Sequence, residues 1–371
     1  MSTRAIIALH SFNISGVLTQ SLICAKHLIT KGFDVTVVGR HGRYGDHLFR
    51  REGIKTFTEG SQDLHHTLRS FRDDVAILIC ESIFAESVFA PIAQALPRAP
   101  KMLRVHEEVN DDLLAQGLWQ YSIQRDLAEI FPEFDLVIFP SEHTKRFYES
   151  LARRMTHGQR WLVIPNTINE EMTASGAGIH NGFRVLQLGS VSQRKNPLLT
   201  LTAFELFLDC YKPSNVELLF VGCRNANTRE RDYVRLLRKE INAKNLAPYV
   251  KITPTHLFPG KDIFEASAVT LHSSSECSPT VFLEANFFGK NVIGPNIGGI
   301  AEIVTESVNG HLFEYGDCSA QARLIGQLYE QRQSLPTSIP RITEYYYSRF
   351  SNTLFFERID AAIEELQLAN N

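Results

Sequence analysis

Short apolar runs alternate with longer helical stretches along this chain, and that alternation constrains the fold more than any other feature. Ala5-Ile6-Ile7-Ala8-Leu9 is apolar at every position, the pattern of a strand buried on both faces. A loop at Ser11–Gly16 follows, then an amphipathic helix over Val17–Lys31 ending before Gly32, then a second strand at Asp34–Val38. Strand, helix and strand make one βαβ unit, which calls for a parallel sheet. The pattern recurs with strands at Val75–Cys80, Lys101–Val105, Asp135–Phe139 and Trp161–Ile164, and helices at Glu86–Leu96 and from Ser141 to about Met155. Glu171–Gly182 is polar and glycine-rich and reads as a linker.

A second string follows the linker. Strands are expected at Phe183–Leu188, Val216–Val221, Val250–Thr253, Ala268–His272 and Asn291–Ile293. Helices are expected at Asn196–Cys210, Arg229–Ala243, from Pro279 to about Phe288, from Gly298-Gly299, over Ala320–Gln331 with Ser319 as cap, and over Thr353–Leu368. Two strings of βα units predict an α/β protein of two Rossmann-like domains, residues 1–170 and 171–349.

Composition removes several function classes. A net charge of −3 leaves no basic excess to neutralise nucleic-acid phosphates, so no nucleic acid is expected as partner. The six cysteines form no Cys-x-x-Cys pair, which fits reduced thiols and a cytoplasmic protein. The first apolar run is too short for a signal peptide, and no stretch approaches the roughly 18 apolar residues of a membrane span. His65-His66 has no partner acids at metal-ligand spacing, so no metal is expected. The first βα loop lacks G-x-G-x-x-G, which argues against a dinucleotide redox cofactor. Lys145, Arg146, Arg153, Arg154 and Arg160 give the Ser141 helix a basic face; it fits peripheral contact with an anionic lipid surface or simple solvation.

Chemistry concentrates in Ala268–Phe313. Glu276 lies in a loop and Glu284 in the next helix. Ser278 at the cap and Pro279 at the first helical position signal the helix start. The free N–H groups of Thr280 and Val281, with the helix dipole, suit a diphosphate. Glu284 could accept hydrogen bonds from ribose hydroxyls, and Glu276 could face a sugar; the same spacing also fits a surface helix with two solvated acids.

Glu276 and Glu284 form an E-x7-E pair, followed by Gly289, Gly298-Gly299-Ile300-Ala301-Glu302-Ile303-Val304 and Asn309-Gly310. In order and spacing this run resembles the donor-binding half of glycosyltransferase family 4. The resemblance implies the GT-B fold, with two Rossmann-like domains facing each other across a cleft and a C-terminal helix, residues 350–371, crossing back to the first domain. It also implies a retaining, metal-independent, hexosyltransferase-type enzyme. Such an enzyme moves a sugar from a nucleotide-diphosphate sugar, such as a UDP- or GDP-sugar, to a glycan, lipid-linked or small-molecule acceptor, with no other cofactor.

Residue by residue, Lys195 matches the family lysine that grips the donor diphosphate; Ser190 stands where the family usually has an arginine, and Arg194, adjacent to Lys195, could supply the second cation, although the pair also fits two solvated cations at a helix N-terminus. His106 matches a strand-end histidine close to the reacting sugar. Ser15-Gly16 stands where the family often has Gly-Gly, near the phosphates or the acceptor, and equally fits a tight turn. Cys277-Ser278-Pro279 replaces the usual Gly-Phe-Gly triplet. The loops at Gly222-Cys223-Arg224-Asn225 and Thr253–Leu257 are expected beneath the nucleobase. Glu81 and Glu107 end or follow strands and could meet the acceptor or cap the next helix. A non-catalytic sugar-nucleotide-binding protein and a sugar-nucleotide epimerase share this fold and are the competing readings.

Overall fold

The computed structural model describes residues 4–42, 45–71, 75–108, 127–152, 159–171, 180–223, 228–255 and 259–369. The chain divides into two compact units, Met1–Asn169 with Asn352–Asn371, and Glu170–Ser351. Of the expected linker, residues 172–179 lie outside the described residues.

Among the described residues the first unit holds seven strands: β1 (Arg4–Ser11), β2 (Asp34–Arg40), β3 (Lys55–Thr58), β4 (Val75–Glu81), β5 (Lys101–Arg104), β6 (Leu136–Phe139) and β7 (Arg160–Val163). They form one parallel sheet in the order β3-β2-β1-β4-β5-β6-β7. Successive side chains of a strand point to opposite faces. Ala5, Ile7 and Leu9 of β1 accordingly enter one core, with Ile77 and Ile79 of β4. Ile6 and Ala8 enter another, with Leu78 and Cys80. Both faces are covered, which is why these strands read as unbroken apolar runs.

The second unit repeats the scheme with β8 (Phe183–Leu188), β9 (Val216–Cys223), β10 (Val250–Pro254), β11 (Ala268–Thr270), β12 (Asn291–Pro295) and β13 (Gly310–Phe313). Their order is β10-β9-β8-β11-β12-β13, again all parallel. In each sheet the strand order reverses once, beside β1 and beside β8. Loops at the carboxyl ends of strands near such a reversal are where open α/β sheets bind ligands.

The final helix, Asn352–Ala369, belongs to the first unit. Phe355, Ile359, Ala362, Ile363 and Leu366 recur at helical spacing and join the core that holds Ile7 and Leu28. Its Asp360 binds His27 and Lys31, each at 2.7 Å.

The structure corrects several element assignments. Asp317, not Ser319, caps the helix Cys318–Glu330, accepting from the Ala320 N–H at 2.8 Å. Pro279, not Ser278, is the N-cap of the helix Thr280–Phe287. The edge strands β3 and β13 and the helices Gly45–Arg51, Gln62–Phe71 and Leu335–Phe350 were not expected. Pro340 inside the last of these hides it, since an internal proline ordinarily breaks a helix. Burial of Ile342, Tyr346 and Phe350 holds it together.

The basic face also changes. Lys145 pairs with Glu149 at 3.8 Å on the helix Glu142–Ala152, and Arg160 lies on β7, paired with Glu365. Arg153 and Arg154 lie outside the described residues. Among the described residues no helix is long and apolar enough to cross a membrane.

Candidate active site

In the second unit, two loops at the carboxyl ends of β8 and β11 are fastened to each other. Gly189 leaves β8 at φ +139, where only glycine is comfortable. A Cβ on neighbouring Gly222 would stand 1.8 Å from the Gly189 carbonyl oxygen, so the backbones there approach as only glycines permit. Downstream, the buried Gln187 side chain donates to the Lys195 carbonyl at 2.8 Å. Asn196, in the left-handed region at φ 44, then starts the helix Pro197–Tyr211. The Ser274 N–H donates to the Arg194 carbonyl at 2.9 Å, and Arg194 Nη1 donates to the Ser275 carbonyl at 2.7 Å.

This fastening brings three predicted residues together. Lys195 Nζ donates to Glu276 Oε1, and Arg194 Nη1 lies 3.3 Å from the same oxygen. Burial alone would push the Glu276 carboxyl up; the Lys195 ammonium and the Arg194 guanidinium overcome that and hold it at about 2. Burial lowers Lys195, and the Glu276 charge opposes this. Glu276 is thus the counter-ion of both cations, a role that sequence spacing did not reveal. Gly298 and Gly299 back this loop. The Gly299 N–H donates to the Glu276 carbonyl at 2.7 Å, and a Cβ at Gly299 would meet the Cys277 oxygen at 1.7 Å. Ser190 contributes no charge, its hydroxyl lying 3.3 Å from that of Ser192.

Ser278 and Pro279 continue from Glu276 into the helix Thr280–Phe287, whose first turn carries no side-chain cap. The leading amides at Thr280 and Val281 are therefore free of side-chain competition for an anion. Glu284 sits one turn on. Among the described residues its carboxyl has no hydrogen-bond or ion-pair partner. Burial alone raises it to about 8.

That shift has a testable sign. The folded chain binds the Glu284 proton more tightly than the unfolded chain, whose carboxyl titrates near 4.5. Below 4.5 both states are protonated and folding carries no penalty. Between 4.5 and about 8 stability is lost as pH rises, and above 8 the loss is complete. Glu284→Gln cannot ionise, so the ligand-free variant should melt above wild type at pH 9 and close to it at pH 5. An equal difference in melting temperature at both pH values would mean that Glu284 carries no raised carboxyl.

Gly16 and His106 belong to the first unit. Gly16 is the first residue of the helix Gly16–Thr30, and Ser15 Oγ caps it by accepting from the Leu18 N–H at 3.2 Å. His106 follows β5, its Nε2 2.8 Å from Glu81 Oε2. Glu81 Oε1 accepts from Arg104 Nη1 at 2.7 Å. Burial pushes the Glu81 carboxyl up, but Arg104 and His106 bring it below its ordinary value. Glu107 Oε1 accepts from Ser82 Oγ at 2.6 Å and Oε2 from the His106 N–H at 3.2 Å; burial raises this carboxyl above its ordinary value despite those bonds.

Glu81 is thus fully buried with both its oxygens engaged, by Arg104 and by His106. Arg104 was missed, although a lone charge in the apolar run Met102–Val105 is the kind of signal that marks a buried pair. Among the described residues no group of three or more His, Cys, Asp or Glu stands where it could hold a metal ion. Arg224, Asn225, His256 and Leu257 of the expected base-binding loops lie outside the described residues.

Comparison with known proteins gives a consistent picture. Residues 170–342 match the family model for glycosyl transferases group 1. The lipopolysaccharide 1,6-galactosyltransferase of Escherichia coli K12 is 33% identical over 100 residues, 25% of this chain and 27% of that protein. The D-inositol 3-phosphate glycosyltransferase of Corynebacterium urealyticum is 24% identical over 215 residues, 57% of this chain and 47% of that protein. The chain therefore spans about a quarter and about half of the length of these two curated relatives. Among solved structures, Anabaena HepE in complex with UDP and glucose superposes with a TM-score of 0.83 at 19% identity, covering 98% of this chain and 100% of that one. The sucrose-phosphate synthase of Thermosynechococcus elongatus gives 0.74 at 17% identity, covering 99% of both chains. The described residues have the two-sheet GT-B fold of these structures, and the match to the glycosyl transferases group 1 model falls within the second unit.

Proposed function

We propose that this chain is a retaining glycosyltransferase of family 4, which moves a sugar from a nucleotide-diphosphate sugar to an acceptor hydroxyl without a metal. The observation that carries this reading is Glu284. A half-buried, desolvated carboxyl with no partner among the described residues is costly unless a ligand supplies donors. The 2′- and 3′-hydroxyls of a ribose are such donors. Lys195, Arg194 and the Thr280 and Val281 amides then meet the diphosphate, while Glu276, released in part from its two cations, turns to the sugar. HepE was solved with UDP-glucose, so UDP-sugars are the first donors to try.

As the glycosidic bond breaks, negative charge grows on the diphosphate, where fixed cations stabilise the transition state more than the ground state. The leaving phosphate oxygen takes the proton of the incoming hydroxyl, so retention needs no strong protein base. The first unit takes the acceptor, a glycan, a lipid-linked sugar or a small molecule, and supplies His106. The six free cysteines suit a cytoplasmic setting.

A thermal-shift screen across UDP- and GDP-sugars, followed by transfer assays with and without EDTA, tests the reading. The expected result is stabilisation by one nucleotide sugar, EDTA-resistant transfer and an unchanged anomeric configuration in the product. Isomerised sugar from donor alone would replace the transferase with an epimerase. Binding with no turnover on any acceptor class would leave a sugar-nucleotide-binding protein.

A further inference from the structure

We propose that Glu81 and Arg104 are positioning residues for His106, holding its ring so that Nδ1 alone is presented to a substrate hydroxyl. The inference rests on the glycosyltransferase reading and assigns the first unit a specific device within it. Glu81 closes β4 and Arg104 closes β5, and the parallel register sets them directly opposite each other. Their side chains are 0% and 3% exposed. One Glu81 oxygen takes the guanidinium and the other takes His106 Nε2, so each oxygen of the carboxylate is engaged. Burial alone would protonate this carboxyl, but the adjacent positive charge keeps it ionised. An ionised carboxylate can only accept hydrogen bonds, so the proton on His106 must be on Nε2.

The rest of the ring is equally constrained. Glu107 accepts the His106 backbone N–H, pinning the ring's point of attachment. The same Glu107 binds Ser82, a non-glycine residue held at φ +98 where β4 ends. Arg104 lies 5.2 Å over the Phe355 ring, so the final helix closes the far side of the cluster. Among the described residues His106 Nδ1 has no hydrogen-bond partner, although the side chain is only 5% exposed. A pair placed only for stability would be a poor choice, because burying charges costs more than packing apolar side chains of similar volume. Here the charges cluster at the carboxyl ends of two strands beside the sheet's reversal, and their shared product is one oriented ring nitrogen.

NMR of the imidazole ring nitrogens in the full-length protein tests this without relying on activity. His106→Gln identifies the His106 signals among those of the 13 histidines. The wild-type ring should carry its proton on Nε2, and Glu81→Gln should abolish that single state. In parallel, Glu81→Gln and the charge-free double variant Glu81→Gln/Arg104→Gln should lower kcat by about 10- to 100-fold, the scale seen when the partner that orients a metal-binding histidine is removed. Nucleoside diphosphate affinity, read by calorimetry, should stay within about twofold, and Glu81→Asp should recover part of the rate. A neutral wild-type ring protonated on Nδ1 would overturn the proposal, as would wild-type kcat in the folded double variant. Should the wild-type chain transfer no sugar at all, the glycosyltransferase reading falls, and the ring-nitrogen measurement still decides the positioning claim.

Discussion

Lys195→Ala is expected to lower turnover by about 10²–10³ at saturating donor, the usual cost of removing one preorganised group that stabilises developing charge. Lys195 is the better placed of the two cations. Its side chain is 12% exposed against 31% for Arg194, and Glu276 holds its ammonium directly. Arg194 already gives Nη1 to the Ser275 carbonyl, so it secures the loop as well as adding charge. Arg194→Ala should therefore cost less, about tenfold or below, by losing an auxiliary cation rather than the grip itself. Steady-state rates for both variants, with circular dichroism to confirm the fold, provide the measurement. Wild-type turnover in Lys195→Ala would remove the diphosphate-grip mechanism. An equal loss in both variants would instead mean that Arg194 fully replaces the arginine absent at Ser190.

Glu284→Ala should weaken nucleoside diphosphate and nucleotide-sugar binding together. Above pH 8, where the Glu284 carboxyl is ionised, each hydrogen bond to it contributes roughly 1.5–3 kcal/mol, so losing two there corresponds to about a hundredfold or more in Kd. The effect belongs to binding, because the ribose is unchanged as the glycosidic bond breaks, and interactions equal in ground and transition states alter affinity rather than kcat. Calorimetry with nucleoside diphosphate alone isolates it. Unchanged affinity would return Glu284 to the helix as a costly residue without a ligand. Together with the pH-dependent gain in stability expected for ligand-free Glu284→Gln, this variant separates the cost of burying the carboxyl from the use made of it.

The parts of this protein readable from its sequence are those encoded in short windows. Apolar runs such as Ala5–Leu9 and Val216–Val221 announce strands buried on both faces, and the helices between them force parallel sheets. Lys195 and Glu284 stand out for the same reason, one lying in the loop and the other one turn into the helix beyond a recognisable strand. What the window does not contain, the sequence did not determine. The helix Leu335–Phe350 is held by tertiary burial of Ile342 and Tyr346 against the local discouragement of Pro340. Asp317 outcompetes Ser319 as a cap because helix ends are settled by which side chain reaches a free N–H.

The charge pairings were decided at longer range still. Lys195 and Glu276 are 81 residues apart and meet because β8 and β11 are neighbours in the sheet. Glu81 and Arg104 are 23 residues apart and meet because the parallel register of β4 and β5 sets them opposite. Sequence alone named most of these charges as candidates but left their partners open, since a salt bridge has no periodicity and its energy depends on burial. Tertiary structure supplied the burial: it turned Glu276 into the counter-ion of two cations, left Glu284 without a partner among the described residues, and locked His106 Nε2 against Glu81.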